Sequence, residues 1–161
     1  MAGLAGIYMT DKTASESDLR AYAMRLLSRR EYAVRELHSK VCHKWRQQDD
    51  IDLLADQLVD ALQLEGSLSD ERYVEAFVRS RTQRSQGPLK IRAELRQKQL
   101  PDTLIEQFLD PEEEHWVELA STWLARQDTG NLDFAGRAKF YRRLINRGFN
   151  HDQAMAALEK P

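Results

Sequence analysis

With 161 residues, 42% of them hydrophobic and 31% charged, the chain has enough apolar material for one domain or a short array of small units, and disorder is not the starting expectation. Seven Gly and four Pro are too few for the turns of a many-stranded sandwich, while the net charge of -2 argues against a uniformly basic nucleic-acid glove. The single Cys42 excludes an intramolecular disulfide, the start MAGLAGIYMTDK lacks a secretory pattern, and no stretch nears the ~20 apolar residues that span a bilayer; a monomer in a reducing cytoplasm is expected.

Residues 1–18 are expected as a flexible leader. Leu19, Tyr22, Ala23, Leu26 and Leu27 then mark a first helix, Ala33, Leu37, Val41 and Trp45 a second, and Ile51, Leu54, Ala55, Leu58 and Leu62 a third. Gly66 suits the left-handed position after that helix, and Ser69 caps the next, with Asp70 and Glu71 at its positive end. Tyr73, Val74, Phe77 and Val78 continue it. Gly87-Pro88 opens the following helix, in which Ile91 and Leu95 face the core, and Leu100-Pro101-Asp102 breaks it. Leu104, Ile105, Phe108 and Leu109 form the sixth helix. Glu112, Glu113 and Glu114 favour the start of a seventh, which carries Trp116, Val117, Ala120, Trp123 and Leu124. After Thr129-Gly130-Asn131 comes a helix with Phe140, Leu144 and Ile145. Asn150 and Gln153 then form a capping-box pair before Ala154, Met155 and Leu158.

The segment GPLKIRAELRQKQL at 87–100 is written again as GRAKFYRRLINRGF at 136–149, a shift of 49 residues that matches Gly87 to Gly136, Lys90 to Lys139, Leu95 to Leu144 and Lys98 to Arg147. Ile105 and Leu109 match Ala154 and Leu158 at the same shift, so the repeating unit is three helices. A fainter first copy aligns Leu37 with Leu95 and Lys40 with Lys98, which leaves Arg29 in the place of the glycines and Tyr32 in the place of the lysine. The expected fold is all-α: three tandem three-helix repeats at 19–66, 67–110 and 111–159, in an elongated, curved array. Charge follows the same rhythm. Residues 20–46 carry eight Lys or Arg against Glu31 and Glu36, 47–71 carry eight acids and no base, and 72–100 return to +6. Residues 101–118 then fall to -7, and 126–147 rise to +4. Either the helices neutralise one another or the bands form a binding surface.

Groups that could do catalysis do not converge in the sequence. His38 and Cys42 lie four apart with His43 adjacent, a metal half-site for which no second ligand pair is apparent. Asp49, Asp50, Asp52, Asp56 and Asp60 lack the spacing and central glycine of an EF-hand and suit a solvated helix face. No phosphate-cradling glycine loop, nucleophile elbow or zincin motif occurs, so no catalytic residue, cofactor or metal is expected. Trp116 and Trp123 are expected in the core, while Trp45 between Lys44 and Arg46 is a candidate exposed contact. Lys90 and Lys139 fall in first turns, where a cation opposes the helix dipole, which points to an external anion as their partner.

The blocks RLLSRREYAVRELHSK at 25–40, GSLSDERYVEAFVRSR at 66–81 and GPLKIRAELRQK at 87–98 resemble the RecX family of bacterial RecA regulators, over nearly everything from Leu19 to Glu159. Lys98-Gln99-Leu100 departs from the family's Lys-Gly pattern, which Arg147-Gly148-Phe149 keeps. The resemblance implies three tandem three-helix units. It also implies a protein that binds the RecA nucleoprotein filament along its groove and restrains its assembly, ATP hydrolysis and strand exchange. Charge and helical position select Arg25, Arg29, Arg30, Arg81, Lys90, Lys98, Lys139, Arg143 and Arg147 as contacts to the filament or to its single- or double-stranded DNA. The alternatives are a freestanding helical module that contacts DNA phosphates through the same residues, and a scaffold whose acidic helices recruit a basic partner.

Overall fold

Local chemistry sets where each helix of the computed structural model begins, over the residues that the structure describes: 13–127, 129 and 132–159. Helix α1 (Glu16–Leu27) opens with a capping box between Ser15 and Asp18, α4 (Asp70–Gln83) with Ser69 accepting from the Arg72 amide, and α5 (Pro88–Gln97) with proline at its first turn. Helices α2 (Val34–Lys44), α3 (Ile51–Leu64), α6 (Asp102–Phe108), α7 (Glu113–Ala125), α8 (Phe134–Asn146) and α9 (His151–Glu159) complete the series. No strand occurs among the described residues. The expected Asn150 and Gln153 box forms reciprocally, at 2.9 and 2.7 Å. Helix α1 starts inside the stretch expected as a leader: Ala14 is buried and its amide donates to Gln48 Oε1 at 2.9 Å. Residues 1–12, Asp128, Gly130 and Asn131 lie outside the described residues.

The closest helix pairings all fall within triplets, α1 to α3, α4 to α6 and α7 to α9. Leu19, Leu37, Val41, Ala55 and Leu62 make the first triplet's core. Triplets two and three share one continuous core through Val74, Ile91, Leu95, Trp116, Leu144 and Phe149, rather than each burying its own. Trp116 and Trp123 lie in that core, as expected. Trp45 is half-buried, edge-on to Tyr22 at 5.3 Å.

The 49-residue repeat holds best at helix C-termini. Lys98 and Arg147 are both C-caps, Gln99 and Gly148 both take left-handed backbone (φ 60° and 93°), and Leu100 and Phe149 are both buried. At the other end the copies differ: Gly87 is the N-cap of α5, whereas Gly136 lies inside α8, and its amide donates to the N-cap Asp133 at 2.7 Å. The first copy's register is corrected by one helical turn. Ala33 is the N-cap of α2, so it is Ala33 that corresponds to Gly87, Leu37 to Ile91 and Val41 to Leu95. Helix start and buried positions fix this register, and they place Glu36, not Tyr32, opposite Lys90. Tyr32 is buried.

Candidate interaction surface

Successive triplets meet where one middle helix ends at the start of another. The Gly87 amide donates to the Arg147 carbonyl at 2.8 Å and the Leu89 amide to the Gly148 carbonyl at 3.0 Å, so free amides at the start of α5 take free carbonyls at the end of α8. The approach requires glycine on both sides. A β-carbon on Gly87 would collide with the Gly148 and Phe149 backbone, and one on Gly148 with Lys90. The Arg147 guanidinium donates to the Arg84 and Ser85 carbonyls at 2.9 and 3.2 Å and lies 4.5 Å from the centre of the Trp123 ring. Burial lowers its proton affinity from the ordinary guanidinium value. Arg147 therefore fastens the α4–α5 connection.

The first junction is built in the same way with side chains. The Val34 amide donates to Asp70 Oδ1 at 2.8 Å, Arg72 pairs with Glu31 at 3.0 Å, and Arg35 donates to Gln99 at the end of α5. Beside it lies an open groove lined by Arg30, Glu31, Glu36, Tyr73, Phe77, Arg81 and Lys98. Three expected contact residues thus converge, but each already has an acid: Arg30 on Glu36 at 2.8 Å, Lys98 on Glu36 at 3.5 Å, and Arg81 on Glu94 at 2.8 Å. Burial pushes the Glu36 carboxyl upward, but Arg30 and Lys98 outweigh it and the net shift is downward. Arg30 also stacks over Tyr32 at 3.6 Å, and Arg81 over Phe77 at 4.3 Å.

On the other side of the α2 and α5 junction is a larger opening of about 590 Å³, lined by Tyr22, Arg35, Ser39, Lys40, Lys44 and Lys98 with Glu36 as its one carboxylate. Lys40 makes no ion pair among the described residues, and Lys44 lies over Tyr22 and Trp45 at 4.1 and 4.7 Å. Arg35, Lys40 and Lys44 are absent from the nine expected contacts. Their signal was the density of bases in 20–46, and only the meeting of α2 with the end of α5 brings them beside Lys98. Of the remaining expected contacts, Arg25 and Arg29 are exposed at the end of α1, and Lys139 and Arg143 are exposed on α8 beside Phe140. Lys90 is half-buried against Gly148. The nine form separate patches at the junctions and on α8 rather than one stripe.

Burial and Asp52 push the Cys42 thiol up to about 11, the opposite of an activated nucleophile. Among the described residues, no helix is long and apolar enough to cross a membrane.

Tandem three-helix units joined end to end, with charged grooves at the first join, define a helical-repeat protein. A family model described as RecX, second three-helix domain, matches residues 69–109. The chain is 40% identical to the regulatory protein RecX of Chromohalobacter salexigens, over 91% of this chain and 94% of that one. It is 35% identical to the regulatory protein RecX of Halorhodospira halophila, over 92% and 91%. The crystal structure of RecX from Lactobacillus salivarius superimposes with a TM-score of 0.73 at 21% identity, over 89% of this chain and 94% of that one. The chain belongs to the RecX family.

Proposed function

We propose that the protein binds the RecA nucleoprotein filament and restrains its ATP hydrolysis, growth and strand exchange. The observation that carries this reading is the repetition of the junction. The middle helices α2, α5 and α8 are joined end to start, so the cationic groove at the first junction and the α8 face follow one another along the chain. Among the described residues no hydrogen bond or ion pair links the first triplet to the third, which fits a row of units rather than a closed bundle. A row of units suits a target that is itself a repeating polymer, on which modest contacts add as avidity. Membership of a family whose relatives are named regulatory proteins supports the same reading.

The second reading, direct binding of DNA, is favoured by Lys40, Lys90 and Lys139, which make no ion pair among the described residues. Binding to single-stranded DNA with and without RecA, across a salt series, separates the two. Filament regulation requires tighter binding to the filament than to naked DNA. A freestanding DNA binder binds naked DNA at least as tightly as the filament, with a steep salt slope.

A further inference from the structure

The sequence offers His38 and Cys42 as half of a metal site, and the fold brings a second pair against them. Asp52 and Asp56, also four apart, lie on α3 facing α2. We propose that His38, Cys42 and Asp52 bind one divalent cation of the zinc class, with Asp56 holding the histidine in place.

The spacing is that of a metal site. Cys42 Sγ lies 3.7 Å from His38 Nδ1 and 3.2 Å from Asp52 Oδ1, and one ligand atom from each of the three residues lies within 4.8 Å of the others. A zinc ion at ~2.3 Å from sulfur and ~2.0 Å from nitrogen or oxygen, in tetrahedral geometry, needs ligand atoms separated by roughly 3.5 Å. The two sulfur distances lie close to that separation already, and His38 and Asp52, within 4.8 Å of each other, need only side-chain adjustment to reach it. Asp56 Oδ1 lies 3.0 Å from His38 Nε2, which leaves Nδ1 for the ion. A carboxylate on the far nitrogen is the usual means of fixing a ligating histidine.

The donor set selects the ion. One sulfur, one imidazole nitrogen and one carboxylate oxygen suit zinc and its borderline neighbours, and they disfavour magnesium and calcium, which require oxygen. Three protein ligands leave a fourth position for water. His38 and Asp56 line an open groove with Val34, Arg35, Ser39 and Gln99, which supplies an entry path. On binding, the sulfur exchanges its proton for the metal and the proton passes to solvent. The ion then ties α2 to α3, next to the groove that Gln99 closes from the second triplet.

Cobalt(II), added to the full chain after chelator treatment and under reducing conditions, is the probe. The expected result is one ion per chain, a thiolate-to-cobalt charge-transfer band with tetrahedral visible bands, and displacement by zinc. Asp56→Asn should weaken binding about 10- to 100-fold. Asp52→Asn and His38→Gln should weaken it further, while His43→Gln leaves it unchanged. Asp52 and Asp56 are exposed, so circular dichroism of their variants should match the wild type even if a cysteine variant misfolds. Absence of the charge-transfer band overturns the site. So does a band indifferent to Asp52→Asn and His38→Gln, which would be adventitious binding at the cysteine alone.

Discussion

Gln99 holds the left-handed backbone that Gly148 holds one repeat later, and it does so with a β-carbon. A side chain in that region costs about 1 kcal/mol. Gln99→Gly should therefore raise stability by no more than about 0.5 kcal/mol in denaturant unfolding, because the higher unfolded-state freedom of glycine and the loss of the Arg35 hydrogen bond take part of the gain. Gly148→Ala faces both the positive φ and the Lys90 backbone and should cost at least about 2 kcal/mol. Glu36 sets a pH dependence. Its folded pKa lies below the ordinary 4.5, so its contribution is complete above that value and is lost as pH falls through the folded one. Stability of the wild type should fall more steeply with acid below about pH 4.5 than that of Glu36→Gln, in melts taken from pH 6 to pH 3.

The elements were legible wherever caps and spacing spoke locally. Gly66, Ser69, Gly87-Pro88 and the Asn150 and Gln153 pair all sit where their chemistry placed them. The first repeat's register was not, because matching Leu37 to Leu95 and Lys40 to Lys98 weighs identity over position. Helix α2 begins at Val34 and puts Leu37 in its first turn, whereas Leu95 is in the second turn of α5. Nor could sequence reveal that Arg147 serves the second triplet, since Arg84 and Ser85 lie more than 60 residues away and meet it only once α8 docks on α5. The proposed metal cluster is not readable from the sequence for the same reason: each pair of residues is visible by itself, but only the packing of α2 on α3 unites them. Arg147→Ala should cost about 1.5–3 kcal/mol, because it leaves two carbonyls without their charged donor. Chemical denaturation checks this, with Arg143→Ala, exposed one turn earlier, expected to stay within about 0.5 kcal/mol of wild type.

For the whole molecule, one core joins the second and third triplets while the first keeps its own, with Ala33 and Leu68 crossing between them. The first junction carries both cationic grooves, and a partner bridging Lys40 and Lys98 would fix the angle between the triplets. Reversing two such surface charges should weaken binding on the order of tenfold without unfolding the chain. The most direct measurement is ATP turnover by RecA on single-stranded DNA, titrated with wild type, with Lys40→Glu paired with Lys44→Glu, and with Lys139→Glu paired with Arg143→Glu. The wild type should suppress turnover at or below equimolar ratio, and each charge-reversed pair should need about ten times more protein for the same effect. Unchanged turnover at saturating wild-type protein would contradict filament regulation.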